Sequence, residues 1–217
     1  MSAIEFYFDP VSPYAWLAST QLDRITAETG CTVTACPILF AGLLKAHGHK
    51  GPAEIPAKRD YIFKDVMRRA HAYGLSLEGP PAHPFNPLKP LRAAIAIDSN
   101  EQRLSFSKHI MELAWANGLD INADNVLSMA LEKAGADVPA VLQAADSDEI
   151  KNRLVTATHQ AVEAGLFGVP SFRIDNQLFW GDDRIQPLLD HIAGHRIDEQ
   201  KLAAILSRGA SSVRKTQ

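Results

Sequence analysis

Within its first 37 residues the chain reads as two short strands joined by an intervening helix. Ile4-Glu5-Phe6-Tyr7-Phe8 is aromatic and compact, which predicts a strand, and Asp9-Pro10-Val11 interrupts it. Ser12-Pro13 has the pattern of an N-cap followed by proline at the first helical position, where no amide hydrogen is needed. Ala18, Leu22 and Ile25 then recur at helical spacing, and Gly30 closes what reads as one helix. Thr32 to Cys36 predicts a second strand, stopped by Pro37. A strand, one helix and a strand in so short a space predict that the two strands are parallel.

From Leu39 to about Gly165 the pattern changes to successive helices. They are expected over Pro56 to Tyr73, with Ile62, Val66 and Tyr73 as the buried stripe, and over Glu101 to Asn117. Others are expected from a cap at Asn122 through Lys133, from Asp137 to Ala145, and from a Ser147 cap to Ala164. Gly79 to Pro90 holds five prolines in twelve residues and cannot be a helix interior. It is either a connector or one wall of a pocket shared with the Lys58 to Tyr73 helix. Strands return after Gly165: Ser171 to Ile174 and Leu178 to Trp180 flank Asp175-Asn176-Gln177 as a hairpin, and a last helix spans about Asp183 to Gly194. The order β-α-β, helices, β-β-α predicts an α/β protein: a thioredoxin-like fold with a large all-helical insertion. The thioredoxin-like part would comprise residues 1–38 and 166–217, and the insertion residues 39–165.

Composition narrows the function. The chain has 217 residues, a net charge of −3 and no Lys/Arg stripe, which argues against nucleic acid as a partner. Its tail from Arg208 to Lys215 is mildly basic and expected to fray. No run reaches the roughly 18 to 20 apolar residues of a membrane span. Glu5 and Asp9 break the first apolar run and no basic segment precedes it, so a cytoplasmic location is expected. The two cysteines, Cys31 and Cys36, lie an odd number of residues apart on one extended segment, so they point to opposite faces and are expected to stay unpaired. Residues 12 to 15 are Ser-Pro-Tyr-Ala, not the Cys-x-x-Cys of a disulfide oxidoreductase, and no Gly-x-Ser-x-Gly elbow is present. His191 and His195 have helical spacing, but Gly194 falls between them and no third ligand is evident, so no metal site is expected.

Three local features carry chemistry. Ser12 either only caps its helix or marks a helix start that favours an anion. Gly168-Val169-Pro170-Ser171 precedes a strand; in a thioredoxin arrangement Pro170 is cis and faces the first helix, leaving the Val169 N–H and C=O free for an extended peptide. Trp180-Gly181-Asp182-Asp183-Arg184 delivers two carboxylates to the start of the last helix, either as caps or as acceptors for an ammonium group. In one pocket these would supply a hydroxyl, a peptide edge and carboxylates. Glutathione, a tripeptide with an α-amino group and a thiol, has the complementary handles.

The set Ser12-Pro13-Tyr14, Lys58-Arg59-Asp60-Tyr61, Phe167-Gly168-Val169-Pro170 and Gly181-Asp182-Asp183-Arg184 resembles the 2-hydroxychromene-2-carboxylate isomerases. It is equally similar to the kappa-class glutathione transferases, a sister group in the DsbA-like thioredoxin superfamily. The resemblance spans about residues 3 to 195. It implies glutathione as cofactor, a small aromatic substrate of naphthalene-type catabolism, and a homodimer. It implies further that Ser12 donates a hydrogen bond to the glutathione sulfur and that Pro13 and Tyr14 sit beside it. Val169, before cis-Pro170, would pair with the cysteinyl backbone, Asp182 and Asp183 would hold the γ-glutamyl end, and Lys58 the carboxylate end. At His49 relatives commonly have asparagine; histidine also donates a hydrogen bond but titrates near neutral pH. The implied reaction is a glutathione-dependent cis–trans isomerisation between 2-hydroxychromene-2-carboxylate and trans-o-hydroxybenzylidenepyruvate. A kappa-like conjugation and glutathione binding without turnover are the alternatives.

Overall fold

A computed structural model describes residues 3–209. The chain opens with β1 (Ala3–Phe8), α1 (Pro13–Ser19), α2 (Leu22–Thr29) and β2 (Thr32–Pro37). Seven helices follow: α3 (Phe40–Ala46), α4 (Pro56–Ala72), α5 (Leu88–Ala96), α6 (Asn100–Trp115), α7 (Asp124–Lys133), α8 (Val138–Ala145) and α9 (Asp148–Glu163). The hairpin β3 (Ser171–Ile174) and β4 (Gln177–Trp180) precedes α10 (Ile185–Ile192) and α11 (Glu199–Leu206). The sheet order is β2-β1-β3-β4, with β1 parallel to β2 and antiparallel to β3.

The alternation in the first strand decides how the sheet is buried. Ile4, Phe6 and Phe8 are fully buried on one face, where the Phe6 ring stacks at 5.3 Å on Phe8 and at 5.1 Å on Phe172 of β3. Tyr7 turns to the other face, among Ile38, Leu43, Ala161, Leu166 and Val169. The main core continues from the sheet without a gap into Phe106, Ile110 and Trp115 of α6. Asp175 and Asn176 both take positive φ, 51° and 62°, giving the two-residue turn whose twist matches a hairpin. Gln177, expected in that turn, already belongs to β4.

Several elements differ from expectation for local reasons. The single helix expected from Pro13 to Gly30 is two. Ser19 and Thr20 turn their hydroxyls back to the carbonyls of Trp16 and Leu17, at 2.7 and 2.8 Å, and the Gln21 amide bonds only three residues back, to Ala18. In α4 the buried stripe is Val66 and Ala70, with Ile62 half-buried; Tyr73 lies beyond the helix and is 37% exposed. The proline-rich stretch ends earlier than expected, because Pro90 occupies the first turn of α5, where its missing amide costs nothing. Asn122 does not cap α7; its carbonyl accepts from Lys89 and the cap is Ala123. The expected caps at Ser12 and Ser147 are present, each accepting from an amide of the first turn, and Asp137, expected as the first residue of its helix, is its cap instead. Helices α3, α5 and α11 have no counterpart in the expected pattern. In α3, Gly42 resembles a breaker, yet it is there because a Cβ would lie 2.6 Å from the Thr158 methyl of α9.

Cys31 and Cys36 are both free. Among the described residues no group of three His, Cys, Asp or Glu could hold a metal, and no helix is long and apolar enough to cross a membrane. From residue 210 onward the tail expected to fray lies outside the described residues.

The β2 edge is closed by one side chain. Asn100, the first residue of α6, accepts from the Ala35 amide at 2.9 Å and donates to the Val33 carbonyl at 2.8 Å. Both bonds replace what a fifth strand would provide. Asn100→Ala is therefore expected to destabilise the fold by about 1–3 kcal/mol, two ordinary hydrogen bonds, seen as a lower urea midpoint with an unchanged slope.

Candidate functional site

The site is assembled at the C-terminal end of β1. Asp9 ends that strand with its carboxylate fully buried, accepting from the amides of Val11 at 3.0 Å and Phe40 at 2.9 Å. Its own carbonyl accepts the Ser12 amide at 3.0 Å. The remaining loop carbonyls are taken from two further directions: Trp115 Nε1 donates to Pro10 at 2.9 Å, and His83 Nε2 lies 3.0 Å from the Val11 oxygen. Three separate parts of the helical region thus hold four residues of loop. Burial pushes the Asp9 acid up to about 7, against the lowering effect of its two amide donors.

Ser12, fixed by this loop, caps α1 and is 7% exposed. Its Oγ accepts from the Ala15 amide and donates to the Val169 carbonyl, each at 3.3 Å. The Val169–Pro170 bond is cis, as expected, and a second cis bond joins His83 to Pro84. The expectation for Val169 holds only in half. Its N–H has no hydrogen-bond partner among the described residues, whereas its C=O is occupied by Ser12. The Pro170 carbonyl accepts the Gly181 amide at 2.9 Å, which brings the Asp182 turn to the same end of the sheet. Between them Gly168 lies beneath the Trp180 indole: a Cβ there would be 2.4 Å from Nε1. Trp180 meets Phe167 edge-on at 4.9 Å, and both residues are about half exposed.

The two expected carboxylates part company. Asp182 is 2% exposed, with Oδ1 paired to Nη1 of Arg69 in α4 and Oδ2 buried without a partner. Asp183 points outward to Arg184, at 3.0 Å. They are not a matched pair, because Arg69 reaches only the first. Burial raises the Asp182 acid to about 6, with Arg69 opposing. Tyr14, two residues after Ser12, donates to Asp65 at 2.9 Å and lies under the Arg69 guanidinium, 5.9 Å from ring centre to Cζ. Pro13 is buried beside Ser12 in the first turn of α1. Lys58 and His49 are exposed, and among the described residues the side-chain hydrogen bonds of Ser12 go to Val169 and Ala15, to neither of them. The loop carrying His49 is moored instead by His47, whose Nε2 lies 2.9 Å from the Leu166 oxygen, just before the cis-proline segment.

Sequence reasoning passed over Asp9, Asp65, Arg69, His83 and Trp115. Asp65 and Arg69 sit four apart on one helix, a spacing that signals a facing pair; nothing local marks His83, which sits in the proline-rich stretch. That stretch touches α4 where His83 meets Phe63 edge-on at 5.4 Å. A cavity of about 240 Å³ beneath it is lined by Pro80, Pro81, Phe85 and Leu119 to Asn122, and by no residue of α4.

Fold and site together define a thioredoxin-like protein whose first helix begins at serine instead of a redox cysteine. The chain belongs to the DSBA-like thioredoxin domain family, whose model matches residues 3–193. It is 29% identical over 191 residues to a 2-hydroxychromene-2-carboxylate isomerase of Sphingobium xenophagum, covering 87% of this chain and 97% of the relative. It is 26% identical over 208 residues to glutathione S-transferase kappa 1 of Rattus norvegicus, covering 89% and 91% respectively. A solved 2-hydroxychromene-2-carboxylate isomerase superposes with a TM-score of 0.82 at 23% identity, covering 96% of this chain and all of that one.

Asp9 gives a direct electrostatic test. Its carboxyl carbon is expected to titrate near pH 7 by NMR, well above an unfolded value of 3.8. A native pKa raised in this way makes the protonated acid the stabilising form. That contribution is complete below about pH 4 and is lost as pH rises toward 7.

Proposed function

We propose that this chain is a glutathione-dependent enzyme interconverting 2-hydroxychromene-2-carboxylate and trans-o-hydroxybenzylidenepyruvate. The observation that carries the reading is the meeting of the Ser12 hydroxyl with the carbonyl before cis-Pro170, 157 positions away in the chain. The polar groups left over at that meeting fit the tripeptide: the Val169 N–H for its cysteinyl backbone and the orphaned Asp182 Oδ2 for its γ-glutamyl end. Asp183 lies at the same end, and Pro13, Tyr14 and Pro170 are assigned as walls; by resemblance to the family, Lys58 is assigned to the glycyl carboxylate and His49 as a further hydrogen-bond donor to the ligand. Bound glutathione supplies a sulfur that adds reversibly to a conjugated carbon, so that a double bond becomes free to rotate before the sulfur departs.

The chain's own task is to keep that sulfur ionised. An ordinary thiol titrates near 8.5, and lowering it by two units requires about 2.7 kcal/mol of preference for the anion. A helix terminus supplies roughly 0.3–1 kcal/mol, and a hydrogen bond to a charged group about 1.5–3 kcal/mol. The helix is insufficient alone, so Ser12 is assigned as hydrogen-bond donor, not nucleophile. Its single proton now rests on the Val169 carbonyl at 3.3 Å, a long bond that a sulfur anion can outcompete. A kappa-type transferase is the second reading, favoured by the similarity to the rat protein.

Incubation with glutathione and the chromene carboxylate separates the two. Open-chain product with glutathione recovered is expected; a stable adduct would make the protein a transferase, and unchanged substrate would overturn the isomerase reading. Ser12→Ala is expected to leave glutathione bound while its thiol pKa, followed by thiolate absorbance, rises by about one unit or more. An unaltered titration would remove Ser12 from this role.

A further inference from the structure

Arg69 is held more firmly than an ion pair alone requires. Nη1 engages Asp182 Oδ1, Nε lies 3.9 Å from Asp65 Oδ2, and the guanidinium rests over the Tyr14 ring. Tyr14 in turn donates to the same Asp65 oxygen. These contacts fix the plane of the fork. The side chain nevertheless keeps 26% of its surface exposed, and Nη2 makes no hydrogen bond among the described residues. Its partner is equally incomplete, since Asp182 Oδ2 is buried and unpaired.

One ion pair therefore offers both a planar cationic donor edge and a carboxylate acceptor. Asp65, Arg69 and Asp182 together carry one net negative charge, which disfavours a lone anion and suits a group bearing both charges. The α-amino-acid head has that chemistry, a carboxylate matched to an arginine fork and an ammonium matched to a carboxylate. We propose that Arg69 takes the α-carboxylate of the ligand's γ-glutamyl head while Asp182 Oδ2 takes its ammonium. Asp65 and Tyr14 act as positioning residues for the guanidinium. This inference rests on the glutathione reading above and assigns one end of the ligand to a residue of the helical region.

The test compares glutathione with 4-aminobutyryl-cysteinylglycine, which lacks only the α-carboxylate, by calorimetric binding to the full chain. The unmodified protein is expected to prefer glutathione by about tenfold or more. Arg69→Met is expected to abolish that preference, weakening glutathione by about tenfold and the analogue by no more than about twofold. Arg69→Lys keeps a charge against Asp182 but loses the fork, so it is expected to reduce the preference without erasing it. That variant also decides the matter should the methionine form fail to fold, because an undiminished preference in it would overturn the assignment. Equal weakening of both ligands would make Arg69 a purely structural residue and overturn this inference alone. Failure of the unmodified chain to bind either ligand would overturn the glutathione reading and this inference with it.

Discussion

Burial of β1 between β2 and β3 is the constraint from which the site follows. Ile4, Phe6 and Phe8 are sealed on one face and Tyr7 on the other, so a slip of one residue would drive Glu5 into the core. With register fixed, Phe8 pairs with Pro37 and Tyr7 with Ser171. The loop leaving β1 and the cis-proline segment entering β3 must then emerge at the same end of the sheet. Ser12 and Val169 meet because the strands between them have no other way to pair.

What the sequence made legible is what local chemistry decides. The strand-helix-strand opening, the caps at Ser12 and Ser147, and the hairpin turn each depend on a few neighbouring residues, and each was visible. The break after Ser19 was not, because the apolar period of Ala18, Leu22 and Ile25 runs straight through it while two back-bonded hydroxyls end the helix. Asp182 and Asp183 were indistinguishable as adjacent carboxylates; Arg69, far away in the chain, separates them by pairing with one. Asp9 read as a strand breaker, and only the approach of the Phe40 amide shows it to be the anchor of the site loop. The site residues missed are those whose partners lie on other elements.

The site buries two carboxylates by different means. Asp9 is met by backbone amides, which cannot lose their protons and hold the loop without adding charge. Asp182 is met by a guanidinium, which leaves one oxygen unsatisfied, a costly arrangement unless something else completes it. The Phe40 amide on Asp9 and Arg69 on Asp182 both come from outside the strands and turns that the sequence marked as functional. The helical region supplies Arg69 and Asp65 from α4, Trp115 from α6, and His83 from the proline-rich stretch, so it builds the site from the side opposite the sheet.

Gly168 has a consequence beyond packing. Because it lacks a side chain, the Trp180 indole lies directly against the peptide preceding Val169 while staying half open to water, whereas Trp16 and Trp115 are 1% and 0% exposed. Of the three indoles in the chain, one alone is within reach of a dissolved quencher. The protein thus carries an intrinsic optical label at the cis-proline, and the shielding of its emission measures occupancy there without any added dye.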